Sequence, residues 1–152
     1  MNKRKLWIFL FVCYCVCMLN LLFRRPGYDP ALPYLQQLKY NLVPFETIIL
    51  FLRALAHSGG GMRTHALINL AGNVVMFLPL GYLLGAIWPS QRKWSRIFRT
   101  TLAIMLAVEL TQMLTLVGSF DTDDLILNIL GSLAGYGLFR LLQQNTKNTG
   151  PR

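Results

Sequence analysis

The stretch VELTQMLTLVGSFDTDDLILN, Val108–Asn128, contains four of the six acidic residues in the chain. It joins the end of one long apolar segment to the start of another, and its middle part, Val117–Asp124, contains no lysine or arginine. Glu109 lies inside the first apolar segment, and three aspartates stand at the start of the second. We therefore expect two helices joined by a tight turn, with acidic groups where an apolar environment makes a charge costly.

The composition indicates a membrane protein. Of the 152 residues, 54% are hydrophobic and only 14% are charged, which is too apolar for an ordinary soluble domain. Four apolar segments would each be roughly 27–35 Å long as helices, close to the thickness of a hydrocarbon core. These segments are Leu6–Phe23, Ala66–Trp88, Ile97–Val117 and Leu125–Leu142. The sequence predicts an all-α fold: a polytopic membrane protein with a bundle of about four transmembrane helices plus one interfacial or re-entrant helix.

The basic residues predict the orientation in the membrane. They flank the apolar segments instead of interleaving with aromatic residues on a polar face, so we expect no nucleic-acid partner despite the net charge of +9. Clusters at Lys3–Lys5, at Arg92–Arg99 and after the fourth segment predict that both termini are cytoplasmic and that Val117–Asp124 is external. Arg24 and Arg25 oppose this orientation. No small-residue cleavage site follows the first segment, which predicts an uncleaved anchor helix.

The connection between the first two segments contains a short apolar stretch. Three prolines and a glycine between positions 26 and 33 would end the first helix. Pro44–Ala56 is apolar but too short to span, and charged residues in and before it recur every seven positions: Lys39, Glu46 and Arg53. This pattern predicts an interfacial or re-entrant helix whose lipid-facing residues are Phe45, Ile48, Ile49 and Leu52. The following Gly59–Gly61 is expected to be a flexible hinge.

Polar residues inside the spans recur at helical spacing. Asn69 and Asn73, Glu109 and Gln112, and Asp124 and Asn128 form pairs three or four positions apart, so each pair shares a helix face. Burying polar groups against one another favours turning all three faces inward. The predicted ligand-binding residues are Asn69, Asn73, Glu109, Gln112, Asp121, Asp124 and Asn128.

Two interpretations of Glu109 stay open. Near the middle of a span, a carboxylate costs a few kcal/mol to insert, so it is normally partnered, protonated or functional. It is either a protonated group that joins helices through Gln112, Thr111 or an asparagine, or a binding or proton-handling carboxylate. Acidic residues at a helix start often act as caps, which we expect of Asp121 or Asp123.

No catalytic or metal-binding spacing is evident in the sequence. His57 and His65 are eight positions apart and match no zinc motif, and Ser119 has no base at a recognisable spacing. We predict no metal and no cofactor, and whether the chain is an enzyme is left open. Small-xxx-small pairs at Gly81 and Gly131 predict close helix packing, and Pro79 predicts a kink.

Three blocks in the right order resemble the VanZ-like family of bacterial membrane proteins. They are NLVPFETI, Asn41–Ile48; NLAGNVVMFLPLGYLL, Asn69–Leu84; and VELTQ followed by FDTDDLILNILGSLAGY, Phe120–Tyr136. The resemblance implies a multi-pass protein of the bacterial cytoplasmic membrane, and a role in glycopeptide resistance of the teicoplanin type. It also covers the ligand-binding residues given above and five structural ones: Gly72, Pro79, Gly81, Gly131 and Gly135, where Gly135 continues the small-residue spacing. An arginine common in the family is replaced by Gly118, so either Arg53 or Arg63 substitutes or the site differs in charge.

The chain divides into three predicted parts: an anchor helix with a proline-rich connection over 1–40, a VanZ-like membrane domain over 41–142, and a polar tail over 143–152. Expected partners are membrane lipids and either a cell-wall precursor or an envelope enzyme. The first functional hypothesis is binding of a lipid-linked envelope precursor or a lipid headgroup. The alternatives are an intramembrane enzyme that acts on a headgroup, with Glu109 as base and Asp124 with a metal, and a structural subunit of an envelope enzyme.

Overall fold

The computed structural model describes residues 3–23 and 29–148. In that part of the chain the all-α prediction is confirmed, with two very short strands. The elements are α1 (Lys3–Leu22), α2 (Tyr34–Gln37), β1 (Tyr40–Asn41), α3 (Glu46–His57), α4 (Gly60–Ile87), a 3-10 turn (Pro89–Gln91), α5 (Trp94–Leu114), β2 (Phe120–Asp121) and α6 (Thr122–Asn148). Arg24, Arg25, Pro26, Gly27 and Arg152, which carried sequence predictions, lie outside the described residues.

Four helices are long and apolar enough to cross a membrane: α1, α4, α5 and α6. This confirms a multi-pass membrane protein, although the helix bounds differ from the predicted spans. Helix α4 has 28 residues, which corresponds to about 42 Å and exceeds the hydrocarbon thickness. Its first turns include Gly60 and Gly61, so the expected flexible hinge at these glycines is wrong, and only Gly59 precedes the helix.

Glycines bring α4 and α6 into backbone contact. A Cβ atom at Gly131 would collide with the carbonyl oxygen of Val74, and one at Gly135 would collide with that of Leu78. Because the residue numbers of these contacts increase together on both helices, α4 and α6 run parallel. Helix α5, which lies between them in the sequence, runs antiparallel to both. A glycine on the other helix, Gly81, meets the Ser132 carbonyl in the same way. These glycines therefore allow the close approach that small-residue spacing predicts.

Helix α1 runs antiparallel to α4 along the outside of the bundle. The Tyr14 hydroxyl donates to the Met76 carbonyl at 3.0 Å, and the rings of Trp7 and Tyr82 lie 5.4 Å apart. Its side chains are otherwise largely exposed, and Met18 is the one buried residue in the helix. This direction places the N-terminal basic residues beside the end of α4, and the four carboxyl groups at the start of α6 lie at the opposite end, together with Lys39, Arg53 and Arg63.

Helix α3 packs against the first turns of α4 as an antiparallel hairpin, with the Phe51 and His65 rings 5.6 Å apart. Three of the four side chains predicted to face lipid are exposed, but Ile48 is half-buried. Lys39 precedes β1 and is not part of α3, so the seven-residue charge repeat does not follow a single helix. Helix α4 continues through Pro79.

A parallel strand pair joins the connection before α3 to the start of α6. Tyr40 pairs with Phe120 and Asn41 with Asp121, and the Phe120 N–H donates to the Lys39 carbonyl at 3.0 Å. Strands of two residues leave no alternating pattern, which is why the sequence did not predict them. The pairing fixes the connection over the acidic end of the bundle.

Candidate functional site

Four carboxyl groups meet where α5 ends and α6 begins. We call Glu109, Asp121, Asp123 and Asp124 the acidic cluster. Asp123 is fully buried, Glu109 is 3% exposed, and Asp124 is half-buried. Since buried charges are costly unless they are partnered, the hydrogen bonds of each group decide what it does.

Asp121 caps its own helix, as expected of Asp121 or Asp123. Its Oδ1 accepts the Asp123 N–H at 2.8 Å, and its Oδ2 accepts the Thr47 hydroxyl at 2.9 Å. The Asp121 N–H donates to Glu109 Oε2 at 3.2 Å. Asp121 therefore joins the starts of α3 and α6 to the last turns of α5. Glu109 accepts a hydrogen bond from the backbone, whereas Gln112, Thr111 or an asparagine was the expected partner.

Asp123 caps a different helix. Its two oxygens accept the N–H groups of Phe45 and Ile48, the latter at 3.0 Å, at the start of α3. Phe45 has a left-handed backbone, with φ of 68°, and no side-chain oxygen that could cap the helix itself. A carboxylate at a helix N-terminus satisfies free N–H groups and favours the helix dipole. The sequence analysis did not identify Asp123 as the cap of α3. The signal for a cap from elsewhere in the chain is that no serine, threonine, aspartate or asparagine stands immediately before this helix.

Asp124 connects α6 to α4. The Asn73 amide donates to Asp124 Oδ1 at 2.5 Å, so two of the predicted polar faces do meet. Asn128 lies one turn further along α6 and is 3% exposed, and Asn69 lies one turn earlier on α4. The side-chain oxygens of both asparagines are buried and accept no hydrogen bond.

Thr47 and Asn41 belong to the same network, although the sequence did not single them out as site residues. The Asn41 amide donates to the Thr47 hydroxyl oxygen at 3.0 Å, and the Thr122 hydroxyl donates to the Asn41 carbonyl at 3.2 Å. These bonds fasten the strand pair over the carboxylates. Most of the hydrogen-bond partners of Asn41 and Thr47 are distant in sequence, so no local spacing of residues predicts this network.

Gln112 is not directed at the carboxylates. Its amide donates to the Leu22 carbonyl at 2.8 Å, and it packs under Gly118, where a Cβ atom would lie 3.3 Å from that of Gln112. The expectation that Gln112 and Glu109 line one polar wall is therefore not met. Gln112 instead satisfies a backbone group at the end of α1.

Lysine and arginine side chains donate to none of the four carboxylates within residues 3–23 and 29–148. The donors there are backbone N–H groups, the Thr47 hydroxyl and the Asn73 amide. Arg53 and Arg63 are exposed and do not replace the arginine that is absent at Gly118. The N-termini of α3 and α6 supply about half a positive charge each, which leaves a large excess of acid if all four groups are ionised.

Metal binding has no geometric support in the described residues, since no three His, Cys, Asp or Glu side chains there are arranged to hold an ion. The absence of a cofactor stays a prediction.

Two apolar grooves lie beside α1. One, of about 260 Å³, is lined by α1, α4 and α5 residues that include Met18, Leu22, Phe77 and Val108. The other, of about 400 Å³, lies between α1 and α4 and includes Pro79. Neither groove is lined by a predicted ligand-binding residue or by another member of the acidic cluster. Its accessible edge is at the half-buried Asn73 and Asp124.

Gly72 differs from the other glycines predicted to be structural. A Cβ atom at this position would meet nothing within 4 Å, so no close helix approach requires a glycine there. Gly72 is three positions after Asn69 and adjacent to Asn73. It leaves open space on α4 beside the polar pair.

The comparisons with known proteins agree with the resemblance noted in the sequence. No curated protein and no solved structure matches the chain. The model of the VanZ/LLP1 family matches residues 9–143, a range that includes the whole acidic cluster and all four membrane-spanning helices except the first residues of α1 and the last of α6. Since this match covers most of the chain, this multi-pass membrane protein belongs to the VanZ/LLP1 family.

Proposed function

We propose that the protein binds a lipid headgroup, either of a membrane lipid or of a lipid-linked cell-envelope precursor, beside the Asn73–Asp124 hydrogen bond. The observation that carries the proposal is the pair of buried, unpartnered oxygens of Asn69 and Asn128, one turn on either side of that bond. An unsatisfied buried acceptor costs about 1–3 kcal/mol. A ligand that donates hydrogen bonds at this place would offset that cost.

The apolar groove between α1, α4 and α5 supports a lipid as the ligand. It follows α1 from Phe11 to Leu22 and reaches Val108, the neighbour of Glu109. An acyl chain in the groove would thus lie near the acidic end of the bundle. Because α1 is held by few buried side chains, the groove is accessible from the surrounding lipid.

The proposed location is the outer leaflet of the bacterial cytoplasmic membrane, with both termini in the cytoplasm. The basic residues at the opposite end of the bundle favour this orientation by the positive-inside rule. Lipid-linked wall precursors present their headgroups on the outer side, where glycopeptides act. Binding such a precursor is how the protein would lower susceptibility to a teicoplanin-type antibiotic.

The proposal is tested with Asp124→Asn and Asn128→Ala, and with Glu46→Gln as a control at an exposed carboxyl group. Native mass spectrometry of the purified full chain should show bound lipid for the unaltered protein and the control, and at least about tenfold weaker binding for the two site variants. Equal lipid occupancy in all four proteins would contradict binding at this site.

The resistance part has its own test. A susceptible host expressing the unaltered protein should tolerate more teicoplanin than one expressing Asp124→Asn at the same membrane level. If susceptibility is the same with both proteins and with no protein, the resistance role is wrong, whereas lipid binding is judged by mass spectrometry. Lipid analysis of the same strains reports any converted headgroup, which would indicate an enzyme instead.

A further inference from the structure

We infer that the ligand of this site carries a primary ammonium group, as in an ethanolamine headgroup. This inference rests on the proposed function and specifies the chemistry of its ligand. Three features of the site support it: the charge of the acidic cluster, the oxygens that remain unpartnered, and the open space beside Gly72.

The acidic cluster has more carboxyl groups than the described positive groups around it can neutralise. Four carboxyl groups lie together, and in the described part of the chain no lysine or arginine donates to any of them. Two helix N-termini contribute about one positive charge in total. Neutrality therefore requires protons or a cation that the described residues do not supply. A metal ion is not favoured, because no three acidic, histidine or cysteine side chains among the described residues are arranged to hold one.

Some oxygens of the acidic cluster accept hydrogen bonds within the protein, and others do not. Asp121 and Asp123 each use both carboxylate oxygens, in the caps of α6 and α3 and in the bond to Thr47. Glu109 and Asp124 each use one oxygen, Oε2 and Oδ1 respectively, and the two side chains are close enough to interact electrostatically. Their second oxygens are therefore available to a ligand.

A primary ammonium group matches the acceptors that remain along α6. They are one oxygen each of Glu109 and Asp124, and the side-chain oxygen of Asn128, one turn further along the helix. Asn128 is 3% exposed, so its oxygen has no access to bulk water. A primary ammonium group has one positive charge and three N–H donors, and it accepts no hydrogen bond. A choline group has the same charge but no donor, so it would leave these oxygens unsatisfied.

The site has a partly exposed edge beside Gly72 through which a ligand could enter. Asn73 and Asp124 are half-buried, and the space that a side chain at Gly72 would fill is empty. Since Gly72 and Asn69 are three positions apart on a helix, they share a face. Gly72 is also adjacent to Asn73, the hydrogen-bond partner of Asp124, so a headgroup that enters through this space would meet the half-buried edge of the site.

The test compares headgroups on identical acyl chains. The full chain, stripped of lipid in detergent, is titrated with phosphatidylethanolamine, phosphatidylcholine or phosphatidylglycerol and followed by native mass spectrometry. We expect phosphatidylethanolamine to bind at least about tenfold more tightly than the other two, the change expected from one charge-assisted hydrogen bond. Glu109→Gln and Asp124→Asn should each reduce this preference, and Glu46→Gln should retain it.

Gly72→Leu provides a second variant that keeps the fold, since its side chain enters empty space. It should lower the affinity for phosphatidylethanolamine while the melting temperature in detergent stays the same. Free ethanolamine is titrated as a separate arm: competition at millimolar concentration shows that the ammonium group alone is recognised, and lack of competition shows that the whole lipid is required. Either result is compatible with the inference and identifies the source of the ammonium group.

The outcomes are distinguishable from a failure of the proposed function. Equal binding of the three lipids, lost in Asp124→Asn, overturns the ammonium inference and leaves headgroup binding in place. A preference for phosphatidylethanolamine that persists in both Glu109→Gln and Asp124→Asn also overturns the inference. If none of the three lipids binds the unaltered protein, the proposed function fails together with the inference.

Discussion

Asp123 shows how a single side chain completes a helix that is distant in sequence. It caps α3 through two N–H groups, although Phe45 and Asp123 are separated by 78 positions. The sequence placed aspartates at the start of α6 and identified them as candidate caps, which fits Asp121. The cap on α3 could not be predicted, because a cap supplied by another helix leaves no fixed spacing along the chain.

Replacing Asp123 with alanine should destabilise the protein by about 1–2 kcal/mol, since both N–H groups lose their acceptor. The start of α3 should also exchange its amide hydrogens faster, as measured by hydrogen–deuterium exchange in detergent. Asp123→Asn keeps one acceptor oxygen and should give an intermediate effect. Unchanged exchange at Phe45 and Ile48 in Asp123→Ala would show that the cap contributes nothing.

The contact between α4 and α6 depends on glycines at the element scale. Glycine pairs four positions apart were predictable as packing sites, because close backbone approach needs a missing Cβ atom. Gly72, identified by resemblance alone, was not distinguished from the others, since a sequence does not show what lies opposite a residue. The pairing of α4 with α6 as parallel neighbours is likewise a property of the assembled bundle.

Gly135→Leu should lower the stability of the bundle by at least about 1–3 kcal/mol, because the added atoms collide with the Leu78 carbonyl and force the helices apart. Gly72→Ala is the matched control. Its methyl group enters open space and improves helix propensity, so stability should be equal or higher. The stability of both variants is measured by heating the protein in detergent and monitoring its unfolding by size-exclusion chromatography. An equal loss of stability in the two variants would contradict the close packing of Gly135 against Leu78.

Helix α1 should loosen when Gln112 is replaced by alanine. The Leu22 carbonyl then loses its side-chain donor, which should cost about 1 kcal/mol and increase amide exchange in the last turn of α1. Thr111→Ala is the control, since that hydroxyl bonds only to its own helix at Ala107. Equal exchange in α1 for both variants would show that Gln112 does not hold this helix.

On the scale of the whole molecule, the buried carboxyl groups lie at one end of the bundle, and the basic residues of the N-terminus and of Arg92–Arg99 lie at the other. The span lengths and the fold class were predictable, because apolar runs and flanking charges are local properties of a sequence. The sequence predicted that the polar faces of the helices turn inward, but not that Asn73 and Asp124 form a hydrogen bond. The direction of Gln112 was not, because it depends on where α1 lies.

The proposed orientation predicts which cysteines an impermeant maleimide labels in intact cells. In a background where Cys13, Cys15 and Cys17 are replaced by serine, Ser119→Cys at the acidic end should react without permeabilisation. Ser90→Cys, exposed at the basic end, should react only after the membrane is opened. The reverse pattern would place the acidic end in the cytoplasm.

The strand pair and the Asp123 cap also have a consequence for biosynthesis. The partners of β1 and α3 lie at residues 120–123, which are translated long after α3 itself. While the ribosome synthesises α4 and α5, the start of α3 has unsatisfied N–H groups and must wait at the membrane surface. The entry of α6 into the bilayer is therefore the step that locks the earlier segments in place, and a nascent chain arrested before Phe120 should leave α3 open to protease.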